Sequence, residues 1–200
     1  HHMRVFRNCL KIGAGRIHAA ALADDWGMQD RAFVRMPIFR EFFKPRYKQM
    51  FDEIKAAGLH TWMHSCGRIN DVVEELIDAG LEVVNNQQPM TVGIEEFGPR
   101  YSGRICFEAI VDTQSTLPRG TYDEIRAQAR QLVETYGTQH GGFIASDYND
   151  AEAIGVTDDR RLVMFEAFAE IGGYPNYKEI LENTSRPKNA HSWGRATSQT

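Results

Sequence analysis

The sequence predicts an α/β fold with parallel strands, and three observations carry that prediction. Short apolar runs alternate with longer stretches of helical periodicity, as in successive strand–helix units joined by right-handed crossovers. No hairpin signal joins any two of the apolar runs. Each of five runs ends C-terminally in polar or reactive residues: Asp24-Asp25, His64-Ser65-Cys66, Asn85-Asn86-Gln87-Gln88, Asp112-Thr113-Gln114 and Asp147-Tyr148-Asn149. Core packing does not require that asymmetry, whereas a pocket at one rim of a parallel sheet does. The plainer alternative is that solvated loops follow strands in any fold.

Taken in order, residues 4–11 read as the end of a helix, stopped by Gly13 and Gly15. Residues 17–23 form the first strand and run into Asp24-Asp25-Trp26-Gly27. Residues 37–43 open a helix with proline at an early position, and Pro45 starts or kinks a second helical stretch. Tyr47, Met50, Phe51 and Ile54 recur there at helical spacing, and Gly58 closes it. Residues 59–64 are the second strand. Residues 69–79 give the clearest helix: Asn70 or Asp71 caps it, Val72, Val73, Leu76 and Ile77 form its apolar face, and Gly80 is the stop. Residues 81–84 are the third strand, and residues 94–97 hold at most one helical turn. Residues 104–111 are the fourth strand. Thr121 and Glu124 then fit a capping box opening a helix through Ile125, Ala129, Leu132 and Val133. After a turn at residues 137–142, residues 143–146 make the fifth strand. Residues 158–171 make the last helix, stopped by Gly172-Gly173 with Pro175 beyond. From residue 182 the chain is polar and aperiodic, which predicts a mobile tail and a folded unit over residues 4–181.

Composition narrows the class. Two hundred residues with 42% hydrophobic and 25% charged side chains suit one globular domain with a real core. The net charge of −4 and the scattered arginines leave no basic stripe for nucleic acid. No apolar run approaches the roughly 20 residues that span a bilayer. His1-His2-Met3 resembles a purification-tag remnant, with no signal peptide after it. Three cysteines, Cys9, Cys66 and Cys106, argue against a disulfide framework and for a reducing, cytoplasmic setting.

The chemistry concentrates at Thr61-Trp62-Met63-His64-Ser65-Cys66-Gly67. Alternation puts His64 and Cys66 on one side of the second strand, at its C-terminal end, where imidazole and thiolate reach one soft metal ion. The alternative is a buried thiol beside a histidine bonded to backbone. His18 and His60 read as structural, His140 as a turn residue, and Asp24-Asp25 as either catalytic or a cap.

Several stretches together resemble the uroporphyrinogen decarboxylase family. They are Asp24-Asp25-Trp26-Gly27-Met28-Gln29, the helix over residues 37–45, His64-Ser65-Cys66-Gly67, and Asp78-Ala79-Gly80 leading into residues 85–89. Val111-Asp112-Thr113-Gln114, Leu117-Pro118-Arg119-Gly120-Thr121 and Gly141-Gly142-Phe143-Ile144 continue the series. The resemblance implies a TIM (β/α)₈ barrel of which this chain carries about five βα units, like strands four to eight. It therefore implies a truncated protein that hides its open sheet by self-association into a homo-oligomer, or a fragment of a longer chain.

The resemblance also implies two chemistries. One is zinc-assisted methyl transfer between a corrinoid or other methylated donor and a thiol. His64 and Cys66 would then hold Zn²⁺ with a carboxylate from Glu108, Asp112 or Asp147, since Asn149 stands where the family's methyltransferases place a further cysteine. Asp25 and Asp112 are the candidate catalytic carboxylates, and Asp24, Gln88, Gln114 and Asn149 the candidate substrate contacts. The other chemistry is metal-free decarboxylation of a tetrapyrrole such as uroporphyrinogen, with Asp112 or Asp25 stabilising a protonated pyrrole and Arg68 and Arg119 gripping carboxylates. A catalytically inactive half-barrel serving as an assembly or binding module is the third expectation.

Overall fold

The computed structural model describes residues 2–13 and 15–173; the expected polar tail and Pro175 lie outside the described residues. Five strands, β1 (Ala19–Ala23), β2 (His60–His64), β3 (Val83–Asn86), β4 (Cys106–Ala109) and β5 (Phe143–Ala145), lie side by side in chain order. Every neighbouring pair is parallel. Helix α1 (His2–Gly13) precedes β1. Helices α2 (Met36–Ile38) and α3 (Lys44–Ala56), joined by a π-helical turn at Phe39–Phe43, cross from β1 to β2, and α4 (Asn70–Ala79) crosses to β3. Helices α5 (Pro89–Val92) and α6 (Ile94–Tyr101) lead to β4, and α7 (Thr116–Arg119) and α8 (Tyr122–Tyr136) lead to β5. A 3₁₀ turn at Glu152–Ile154 precedes α9 (Asp158–Ile171). A strand order that never reverses is the winding of a barrel rather than of a doubly wound sheet. The chain is thus an open, partial TIM-type array of βα units.

Strand register sorts the side chains onto two faces. Leu22, Met63, Val84, Phe107 and Phe143 are mutual register partners and face the helices. Phe107 stacks on Tyr136 of α8 at 4.3 Å, and Phe143 meets Phe168 of α9 at 5.6 Å. The next row, Ala23, His64, Asn85, Glu108 and Ile144, points the other way. That opposite face corresponds to a barrel's interior, and in this open sheet Trp62, His64, Glu108 and Ile144 stay partly exposed.

Pro45 explains the π turn. It has no N–H to give to the carbonyl of Glu41, so the helix widens and Lys44 N–H bonds five residues back, to the Phe39 carbonyl. Trp26 packs edge-on against Phe39 and Phe43 at 4.9 and 4.6 Å, which pins the loop after β1 to this helix.

The loops after β1 and β2 are zipped together beyond the strands. Asp24 N–H donates to the His64 carbonyl, Trp26 N–H to Ser65 Oγ, Gly27 N–H to the Cys66 carbonyl and Arg68 N–H to the Met28 carbonyl. The two backbones cross at Gly27 and Gly67. A Cβ on Gly67, whose φ is +77°, would lie 2.3 Å from the Gly27 oxygen, and one on Gly27 would lie 2.5 Å from Arg68 N.

Four expectations change. Asn70 and Asp71 do not cap α4; the Asn70 side chain donates instead to the Val92 carbonyl, 2.8 Å away, and ties α4 to the segment before α6. Residues 94–101 form two turns rather than one, because burial of Phe97 and Tyr101 on one face outweighs the Pro99 inside the helix. Strand β3 lies two residues further along than the apolar run suggests, so Asn85 and Asn86 are strand residues. Strand β4 is shorter than residues 104–111, although Ile110 and Val111 remain buried beyond it. The capping box holds as expected, with Thr121 and Glu124 exchanging backbone hydrogen bonds. No helix among the described residues is long and apolar enough to cross a membrane.

Two outcomes follow from this architecture. Gly27→Ala should destabilise the chain by about 1–3 kcal/mol in denaturant unfolding, because the added methyl meets rigid backbone rather than a side chain that can swing away. The outer edges of β1 and β5 have no partner strand among the described residues, so self-association is expected. Light scattering at low micromolar concentration checks this, and a well-behaved monomer would count against it.

Candidate functional site

At the C-terminal rim of the sheet, Asp25, His64 and Cys66 each offer one ligand-type atom, and these atoms all lie within 4.8 Å of one another. His64 closes β2, and Cys66 sits two residues on, in the loop that Gly67 turns back on itself. Cys66 Sγ lies 3.3 Å and Asp25 Oδ1 3.8 Å from His64 Nε2. The Asp25 carboxylate also accepts from Cys66 N–H at 2.9 Å, a contact that the crossed glycines make possible. Burial, reinforced by the Asp25 charge, pushes the Cys66 thiol up to about 11. The Asp25 side chain is 65% exposed and His64 30%, so the group is open to solvent on one side.

Surrounding amides hold this frame. Asn86 Nδ2 donates to the carbonyls of Ser65 and Gly67, and Gln88 Oε1 accepts from Gly67 N–H at 2.9 Å. Asn85 Oδ1 lies 2.5 Å from His64 Nδ1. The Tyr47 hydroxyl accepts from Trp26 Nε1 and donates to Asp24, both at 2.7 Å; burial and the Asp24 carboxylate raise its pKa.

The donor set suits a zinc ion. Bonds of about 2.0–2.3 Å in a tetrahedral centre separate ligand atoms by roughly 3.3–3.8 Å. Here N–S is 3.3 Å, N–O is 3.8 Å and all three atoms lie within 4.8 Å of one another, so the side chains would have to shift to share one ion. One imidazole, one thiol and one carboxylate leave a fourth position for a substrate, as in catalytic rather than structural zinc sites.

The other expected site residues lie elsewhere. Glu108 is held by Trp62 Nε1 and Ser146 Oγ, each at 2.7 Å, and Asp147 is paired with Arg161. Neither joins the three-residue group, and Asp25 provides its carboxylate instead. Asp112 is 1% exposed. Its oxygens accept from Met90 N–H, Gln114 N–H and Ser115 Oγ, so it organises loop backbone and is closed off from the rim surface. Gln114 meets Thr91, and Asn149 is an exposed turn residue. Arg68 is bonded to Glu96 and the Thr91 carbonyl, and Arg119 to the Gln114 carbonyl. Cys106 opens β4 and so lies at the opposite end of the sheet.

Sequence reasoning placed Ser65, Asn85 and Asn86 among the polar strand ends but gave none of them a role of its own in the site. Their signal was position alone, since Asn85 is the β3 partner of His64.

Comparison with known proteins agrees with the fold. The family model described as Uroporphyrinogen decarboxylase (URO-D) matches residues 8–147. No curated protein matches the chain significantly. Among solved structures, a methyltransferase from Methanosarcina mazei is similar in fold, with a TM-score of 0.61 at 20% sequence identity. The match covers 80% of this chain and 44% of that one, so this chain spans less than half the length of that methyltransferase. With the family match extending over more than half of the 200 residues, the chain belongs to the uroporphyrinogen decarboxylase family.

Proposed function

We propose that the chain carries a zinc-dependent thiol methyl-transfer site. The observation behind this reading is the convergence of Asp25, His64 and Cys66 at the rim. The fold likeness to a methyltransferase supports it, as does the family membership.

In this reading His64 Nε2, Cys66 Sγ and an Asp25 oxygen hold Zn²⁺. The ion, when bound, lowers the pKa of a substrate thiol enough to present a thiolate at neutral pH. Asp25 and a deprotonated Cys66 together balance the dication's charge. Gln88 and Asn86 hold the loop at Gly67, which keeps the Cys66 sulfur aimed at the imidazole. The acceptor approaches from the exposed side of Asp25. Transfer forms a sulfur–carbon bond to the methyl group, and the electron pair of the broken methyl bond stays with the donor, a corrinoid or another methylated small molecule. The thiol proton goes to solvent.

Decarboxylation of a tetrapyrrole is the weaker reading. The rim arginines that would grip substrate carboxylates are already engaged, and Asp112 is closed off by its own loop.

Metal analysis of protein purified without chelator tests the proposal. About one zinc per chain is expected, lost in Asp25→Ala, His64→Ala and Cys66→Ser but retained in Glu108→Gln. Absence of metal from the wild-type preparation would overturn it and leave the decarboxylase or the inactive binding module. Retention of zinc by all three ligand variants would overturn the assignment of the site.

A further inference from the structure

We infer that Asn85 is a positioning residue that fixes which nitrogen of His64 faces the candidate metal centre. The inference deepens the zinc reading above and rests on it. Asn85 is 6% exposed and sits beside His64 in the adjacent parallel strand, so backbone register brings the two side chains together. Ser65 N–H, donating to the Asn85 carbonyl at 3.1 Å, continues that pairing past the end of β2.

The amide can sit only one way round. Its Nδ2 donates to the Glu108 carbonyl at 3.3 Å, and the flipped amide would set two oxygens against each other there. Oδ1 is therefore the atom facing the imidazole, 2.5 Å from Nδ1. An amide oxygen only accepts, so Nδ1 carries the proton. A neutral imidazole has one N–H, which leaves the Nε2 lone pair free. Nε2 is the nitrogen beside Cys66 Sγ and Asp25 Oδ1. Asn85 thus sets both the tautomer and the rotation of the ring before any ion arrives, as hydrogen-bond partners of ligating histidines do in metal sites. Glu108 acts only through its backbone, which is why its carboxylate is free for Trp62 and Ser146.

Two measurements test the inference. Nitrogen NMR of the imidazoles in metal-free protein, above the usual imidazole titration range, reads the tautomer directly. Competition titration reads zinc affinity. Wild type should show His64 protonated at Nδ1. Asn85→Leu, which removes the acceptor, should lose that preference and bind zinc about 10- to 100-fold more weakly. Asn85→Asp, which keeps an acceptor, should restore most of the affinity. If the leucine variant does not fold, Asn85→Ala takes its place. Protonation at Nε2 in metal-free wild type, or wild-type zinc affinity in a folded leucine or alanine variant, would overturn the inference. The tautomer is read without metal. A wild-type Nδ1–H lost in the variants, in a protein that binds no zinc, would support the orientation and overturn the zinc reading.

Discussion

The site depends on the contact between two glycines. Gly27 and Gly67 let the loops after β1 and β2 touch backbone to backbone, closer than any side chain would allow. That approach brings the third donor to the pair set by the strands. It lets Cys66 N–H reach the Asp25 carboxylate, holds Asp25 within range of His64, and places the sulfur beside the ring. Parallel strand pairing alone would bring His64 beside Ala23 and Asn85 but would not deliver a third donor.

The sheet divides its labour by face. On the helix side, aromatic rings and branched aliphatics stack into the core, and their burial stabilises the open sheet. On the other side, imidazole, amide, carboxylate and indole form a row bonded to one another: Asn85 with His64, and Glu108 with Trp62 and Ser146. Half-buried polar groups with satisfied partners keep fixed geometries, and fixed geometry is what a small-molecule site needs.

How much of this was legible in the sequence depended on the range of each interaction. The Thr121 capping box and the Gly80 stop are local, and both were readable from neighbouring residues. His64 and Cys66 were readable as a pair because alternation couples residues two apart. Asn85 was not, because apolar character ends at Val84, and a buried amide that finds partners extends a strand as well as a valine does. Asp112 has local partners that only the structure shows: its carboxylate bonds Gln114 N–H and Ser115 Oγ two and three residues ahead, as a turn-building aspartate does. Asp24 and Asp25 are neighbours of the same chemistry. Only the crossing of loops far apart in sequence sends one to Tyr47 and the other to Cys66.

The widened helical turn at Phe39–Phe43 has a consequence for angular phase. In a regular α-helix each four-residue step overshoots a full turn by about 40°, so Phe39, Phe43, Tyr47 and Phe51 would spiral through about 120°. The extra residue held in the wide turn takes back roughly 100° of that drift, and the rings stack in the order Phe43, Phe39, Tyr47, Phe51. One proline thus acts as a timing correction for an aromatic column. The Tyr47 hydroxyl within that column meets both Trp26 and Asp24, and so keeps step with a loop some twenty residues away.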